Sequence, residues 1–383
     1  MTALRARCCL GAVLFSAAAL ADFGDPLSGL SGADLARFTA GKAEFVAVEE
    51  VDEGLGPVFN EASCATCHTG PGTAIGGTTQ RQEIRFGRIR PDGSFDPLAE
   101  LGGSLRQDQA IAGFLPEVVP PEATVFSGRR TQPLFGLGLV DATPETTFYV
   151  LAFIQSVLKP SIAGTPSVVS DPSTGRTNAL GKFGWKAQVP SLFVFSGDAY
   201  LNEMGITNPL FPNENCPQGN CAALADNPVP TLNDDGTGVA LFNDFMTLLG
   251  PPPRGPRNFF TEYGNIVAGV IGCLDCHVQT LRTGPNAVPA LDEVTYHPFS
   301  DFLLHDMGSL GDGITQNRAT GGLMRTQPLW GLRTQTRLLH DGRATTIRDA
   351  ILAHDGQGAA ARHAFENLGA FDRAAILAFL NSL

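Results

Sequence analysis

Two short runs in this 383-residue chain set two thiols and an imidazole at fixed spacing: Cys64, Cys67 and His68, then Cys273, Cys276 and His277. In a Cys-x-x-Cys-His run the two thiols can add to the two vinyl groups of a haem. The adjoining His can then place its imidazole on the iron as proximal ligand. A redox dithiol would call for a βαβ setting, which the flanking sequence does not offer. A zinc site would leave the His beside each second Cys unexplained. Two complete copies therefore point to two covalently bound c-type haems.

The surroundings of the two runs repeat as well. Gly56-Pro-Val-Phe-Asn-Glu-Ala-Ser63 leads into the first and Gly264-Asn-Ile-Val-Ala-Gly-Val-Ile-Gly272 into the second. Downstream, Arg130-Thr-Gln-Pro-Leu-Phe-Gly-Leu137 is echoed by Arg325-Thr-Gln-Pro-Leu-Trp-Gly-Leu332. The period is too long for a solenoid. It reads as one unit used twice with different insertions.

Composition fixes the compartment. Arg5 and Arg7, an apolar stretch from Cys8 to Leu20, and Ala19-Leu20-Ala21 form a secretory signal expected to be cleaved after Ala21. The apolar stretch is too short to span a bilayer, and no other segment reaches the required length. The mature chain would hold 24 basic and 38 acidic residues, a formal balance of −14. That sign disfavours nucleic acid and anionic lipid, and suits a basic partner such as a small cationic cytochrome. Of the six Cys left after cleavage, four belong to the two runs. Cys216 and Cys221, in a Pro-, Gly- and Asn-rich loop, are expected to form a disulfide in an oxidising periplasm.

The elements that must position these groups read as helical. Amphipathic patterns cover 32–48, 238–249, 262–271 and 371–383. Segments 69–147 and 159–235 are loop-rich, with short hairpins at most. Turn chemistry at Asn233-Asp-Asp-Gly-Thr-Gly238 places a boundary there. The expected division is 1–21 signal peptide, 22–235 N-terminal haem domain with insertions, and 236–383 C-terminal haem domain.

No His lies between His68 and His277, so a sixth ligand to the first iron from its own domain would be Met, Lys, Tyr or none. Met204 follows Asp198-Ala-Tyr-Leu201, an echo of Asp349-Ala-Ile-Leu352, and is the first candidate; Lys186 is its rival. Arg130, Arg325 and Arg343 are candidates to neutralise haem propionates. His297, His305 and His340 are expected to hydrogen-bond, and His363 to be solvated.

Five stretches resemble the di-haem oxidoreductase family, whose members are labelled thiol oxidoreductases or peroxidases. They are Gly54-Leu-Gly-Pro-Val-Phe-Asn60, Phe183-Gly-Trp-Lys-Ala-Gln188, Glu203-Met-Gly-Ile-Thr-Asn-Pro-Leu-Phe-Pro212, Leu303-Leu-His-Asp-Met-Gly308 and Leu339-His-Asp-Gly-Arg343. The chain is more distantly similar to bacterial di-haem cytochrome c peroxidases and to MauG. The resemblance implies a mainly α fold of two cytochrome c-like haem domains with loop-rich insertions. It places His354 where the related peroxidases keep the sixth ligand of their electron-transfer haem, and gives Trp185 or Trp330 a relay role. Calcium between the domains follows by analogy alone. The implied function is reduction of peroxide or another small oxidant at one haem, with catalytic candidates Met204, Lys186 and Trp185, while the other haem relays electrons from a periplasmic partner. The alternative is a non-catalytic di-haem electron-transfer cytochrome. The thiol-oxidoreductase label finds no support, because every mature Cys already has a partner.

Overall fold

A computed structural model describes residues 22–383; the expected export signal at 1–21 lies outside the described residues. The helices are α1 (Gly32–Val46), α2 (Cys64–Cys67), α3 (Leu137–Asp141), α4 (Glu145–Leu158), α5 (Leu192–Met204), α6 (Thr237–Leu248), α7 (Phe259–Val270), α8 (Ile347–Leu352), α9 (Ala359–Asn367) and α10 (Ala370–Leu380). Each of the four expected helical patterns coincides with one of these, within three residues at either end. Local chemistry explains the starts. Ser31 accepts a hydrogen bond from Asp34 N at the head of α1, and Asn258 forms a capping box with Thr261 at the head of α7. α5 begins on Ser191 and ends at Gly205, whose φ of 72° suits a residue without a Cβ.

Each half is closed by a helix crossing at a glycine. A Cβ at Gly41 in α1 would collide with the backbone of Leu241 and Phe245 in α6. One at Gly264 in α7 would collide with the backbone at Ala375 in α10. So the helix leading into each Cys-x-x-Cys-His run lies tightly against a later helix of the same half. The main core gathers Phe38 and Phe45 of α1 with Val194 and Tyr200 of α5 and Phe242 and Phe245 of α6. A second core joins Val267 and Ala268 of α7 to Phe365, Ile376 and Phe379.

α6, the first helix of the expected C-terminal domain, packs on α1 and α5, and the main core also takes in Tyr296, Phe302 and Trp330. The Asn233-to-Gly238 run starts a helix. The Asp234 carboxylate accepts from Gly236 N and Gly238 N at the head of α6.

The loop-rich insertions also hold more sheet than expected. Gln82–Ile89 pairs antiparallel with Val125–Arg130 over six residues, and Ser167–Asp171 pairs with Arg176–Gly181. The alternation in Glu83-Ile-Arg-Phe86 is brief, and its charged face opens into a cavity rather than to water. Phe86 on the other face is fully buried. Cys216 and Cys221 are disulfide-bonded, as their spacing predicts. Among the described residues no helix is long and apolar enough to cross a membrane.

Candidate functional site

Both Cys-x-x-Cys-His runs open on one cavity of about 850 Å³, in the upper part of the roughly 300–1,000 Å³ typical of ligand pockets. The first run forms α2 and its exit; the second follows α7 in a single tight turn, Cys273–Asp275. Burial pushes Cys64 and Cys67 up to about 12 and Cys273 up to about 11. Such thiols are poor thiolates, so a dithiol redox reading gains nothing from this setting.

The two imidazoles are part-buried and neutral. Desolvation lowers His68 to about 4, and its Nδ1 has no hydrogen-bond partner among the described residues. Burial, with the neighbouring His354, lowers His277 to about 4. His277 Nδ1 lies 2.9 Å from Phe299 O, and His354 Nδ1 lies 2.7 Å from Ala350 O. These carbonyls fix both rings as Nδ1–H tautomers and leave both Nε2 atoms as bases, the arrangement a metal-ligating imidazole needs. Both rings line the cavity.

The first run faces a charged wall. Arg85 Nε and Nη2 each donate to Glu83 at 3.1 Å, and Asn60 Nδ2 donates to Glu203 Oε2 at 2.7 Å. Burial, reinforced by the charge of Glu83, raises Glu203 to about 7. Burial likewise raises nearby Asp198 to about 6. The last turn of α5 supplies Glu203, the strand Gln82–Ile89 supplies Glu83 and Arg85, and Asn60 follows the short strand Val58–Phe59. Met204, next along α5, is buried and lines the cavity, with its Sδ 3.9 Å from Cys64 Sγ.

Two guanidinium groups in the wall lack a carboxylate. Arg130 donates to Leu339 O and to Gln335 Oε1, and Arg325 donates to Gly184 O. Both are buried and both line the cavity. A buried cation with no paired carboxylate is costly, even where, as at Arg325, the charge of Asp301 helps from a distance, so both positions favour an anion in the cavity. Arg343 is corrected here: it pairs with Asp341 at the surface and does not line the cavity.

Lys186 is also corrected. It is fully buried away from the cavity, where its Nζ lies 2.8 Å from Asp312 Oδ1 and donates to Leu323 O at 2.6 Å. Arg129 completes the cluster at 2.6 Å from Asp312 Oδ2. Burial lowers Lys186 to about 8, but Asp312 works against that loss of charge. Lys186 thus ties the 184–188 turn to the 312–323 loop, and a ligand role is spent. Asp312→Asn should leave two buried cations short of their counter-ion and lower stability by about 3–5 kcal/mol. Denaturant unfolding measures this; a variant as stable as wild type contradicts the account.

The remaining sequence candidates divide cleanly. Trp185 lines the cavity, donates from Nε1 to Arg130 O, and has the Arg130 guanidinium 5.8 Å from its ring centre. Trp330 also lines it, packed near Tyr296. His305 pairs with Asp301 at 3.0 Å and His297 with Thr280 at 3.1 Å, while His363 is exposed. His340 is buried against Trp185, with no side-chain hydrogen bond of its own. The calcium suggested by analogy alone has no acidic cluster among the described residues to receive it. Among the described residues the grouping with metal-ligand geometry is Cys276, Asp301 and His305, a set unsuited to a hard cation.

Glu203 and its partners were missed from sequence, although a signal was present. Counting five residues from Asp198 reaches Glu203, and the same count from Asp349 reaches His354. The duplicated helix end thus offers a carboxyl in one half and an imidazole in the other.

Among solved structures the chain is similar to hydrazine synthase from Kuenenia stuttgartiensis, at 14% identity over 100% of both chains with a TM-score of 0.40. It is similar to the diheme peroxidase BthA from Burkholderia thailandensis, at 15% identity over 91% of this chain and 86% of that one, TM-score 0.41. A MauG-like protein associated with microbial copper homeostasis matches at 17% identity over 63% of this chain and 89% of its own, TM-score 0.32. Likenesses at this level carry no inference about fold or activity. No curated protein matches the chain. The family model described as "Di-haem oxidoreductase, putative peroxidase" matches residues 121–383, more than half of the sequence and inclusive of the second Cys-x-x-Cys-His run. The chain belongs to the di-haem oxidoreductase family.

Proposed function

We propose that this chain is an exported, periplasmic peroxidase-type oxidoreductase holding two covalent haems c in cytochrome c-like units. Cys64 and Cys67 would attach one and Cys273 and Cys276 the other, with His68 and His277 as proximal ligands. The observation that carries this reading is the shared cavity. It brings both runs together, presents three part-buried neutral imidazoles, and holds in its wall two buried guanidinium groups that no carboxylate pairs with among the described residues. The Cys216–Cys221 disulfide supports an oxidising compartment.

Bound haem would supply the electrons and the iron site at which a peroxide oxygen–oxygen bond is cleaved. The chain supplies the asymmetry. At the second site His354, its ring fixed by Ala350 O, would hold the haem iron together with His277, a pair of ligands suited to electron transfer. At the first site the thioether of Met204 touches the attachment sulfur. Met204 would pack there, and Glu203 would serve the reaction at the first site. Its carboxyl, held near neutrality by burial and Glu83, can accept a proton from the attacking oxygen and return it to the leaving one. Arg85 beside it stabilises the accumulating negative charge. A purely electron-carrying cytochrome would have no use for a carboxyl of this kind in the cavity beside the first Cys-x-x-Cys-His run.

His354→Ala should convert one low-spin ferric signal to high spin in the paramagnetic resonance spectrum, while Met204→Leu should leave both centres as in wild type. An unchanged His354→Ala spectrum removes the closed second site. Conversion of a low-spin centre by Met204→Leu restores that Met as a ligand.

A further inference from the structure

The last turn of α5 carries Glu203, and a helix end leaves its final carbonyls without donors of its own. The carbonyls from Leu201 to Met204 are nevertheless all taken. On one flank Met204 O accepts from Gly56 N at 3.0 Å and Glu203 O from Asn60 N at 2.7 Å, both from the segment leading into the first Cys-x-x-Cys-His run. The other flank is held by side chains from distant segments. Gln107 Nε2 donates to Asn202 O at 3.1 Å, and Asn215 Nδ2 donates to Leu201 O at 3.3 Å.

Both of these outer supports lead to one small loop. Asn215 directly precedes the Cys216–Cys221 disulfide. Gln107 N donates to Glu117 Oε2 at 2.9 Å, and Glu117 Oε1 accepts at 2.8 Å from Gln218 N, inside the disulfide ring. Gln107 and Glu117 are both buried. The Gln218 side chain ties the ring to the same insertion, its Oε1 accepting from Val118 N at 2.8 Å and its Nε2 donating to Leu101 O at 2.6 Å. Gln218 does this at φ 48° and ψ 33°, a left-handed conformation that is costly for a residue with a Cβ and persists only where its surroundings impose it. The bridge supplies such a constraint, because it closes a ring of only a few residues around Gln218.

We propose that the Cys216–Cys221 loop positions Glu203. It holds Gln218 where Glu117 and Gln107 brace the last turn of α5, and it braces that turn directly through Asn215. Gln107, Glu117 and Asn215 are positioning residues; none of them lines the cavity. The catalytic part of this role rests on the acid–base reading of Glu203. Without the bridge Gln218 is free to relax to a right-handed conformation, and its amide turns away from Glu117. The turn then loosens from that flank, and the Glu203 carboxyl loosens with it.

Cys216→Ser with Cys221→Ser, in the full haem-loaded protein, removes the bridge and little else. Haem content and absorption spectrum should match wild type. The amides of Asn60, Glu61, Gly205 and Ile206, which donate to carbonyls of the α5 end, should exchange their hydrogens about five- to tenfold faster, the weight of one hydrogen bond. In the infrared, the C=O stretch of the protonated Glu203 carboxyl, identified by its loss in Glu203→Gln, should shift and broaden. Peroxide turnover should fall at least about tenfold, within the ~10²-fold that a ~1 Å displacement of a reacting group can cost. Gln107→Met keeps the bridge but removes the donor to Asn202 O. It should reproduce all three effects, and it is the measuring variant if the serine pair fails to fold. Wild-type exchange with an unmoved band in either variant overturns the proposal. Faster exchange with an unmoved band also overturns it, because the loop then braces the turn without setting the carboxyl. Both changes together with wild-type turnover uphold the positioning and count against the acid–base role of Glu203 instead.

Discussion

Replacing Cys64 and Cys67 together by Ala should yield a protein with one haem instead of two and with peroxide reduction at background. Replacing Cys273 and Cys276 should likewise leave one haem, but the loss of turnover then arises differently. In the first variant the carboxyl of Glu203 remains with no iron to serve; in the second the first site remains but its supply of electrons is cut. The effect is large because the bond is covalent and each pair has a single haem within reach. Intact-mass spectrometry of protein matured in a periplasm counts the haems directly. The two variants should differ in one further respect: the protein lacking the first attachment should keep the low-spin signal of a centre closed by His354. Retention of both haems after either double replacement contradicts covalent attachment at that run.

Glu203→Gln should lower peroxide turnover by roughly 10²-fold or more, the usual worth of a positioned acid–base group, with both haems retained and electron uptake intact. The amide keeps the size of the side chain and can still bond to Asn60, but it cannot carry the proton. Burial and the charge of Glu83 raise the wild-type carboxyl to about 7. Its basic form therefore fills as pH rises through neutrality, and turnover at limiting peroxide should rise with it. Because Glu83 and Glu203 share one setting, the limb belongs to the pair rather than to one residue. In Glu203→Gln that limb should vanish; in Glu83→Gln it should move to lower pH, since the repelling charge is gone. A Glu203→Gln variant with wild-type turnover and an unaltered pH profile defeats the proposed role. Low turnover without loss of the limb points instead to a structural effect.

Much of this protein was legible in its residues alone. Cys-x-x-Cys-His is a local motif whose chemistry depends on spacing along a few residues, so Cys64, Cys67, His68, Cys273, Cys276 and His277 could be named without a fold. Capped amphipathic helices such as α1 and α7 were equally local, because Ser31 and Asn258 announce the starts and the apolar spacing shows the buried face. The Cys216–Cys221 pair needed five residues of sequence and a compartment.

What escaped the sequence depended on partners far away in the chain. Arg130 and Lys186 are both basic residues in segments with no nearby acid in sequence, yet one faces the cavity without a paired carboxylate and the other is paired with Asp312, 126 positions on. Only tertiary packing decides which of two such cations has its counter-ion. The strand Gln82–Ile89 reads as a polar loop because its charged face is turned inward, toward a site, rather than outward. Glu203 lay one residue from a Met that drew attention for its sulfur. The fold gave the carboxyl its burial, its neighbour Glu83 and its view of the first run, and turned the Met sulfur toward Cys64. Sequence thus determined which groups are proposed to hold two haems. Tertiary structure decided that they share one cavity and that their surroundings differ, because burial and charge pairing are properties of position in space, which no local spacing encodes.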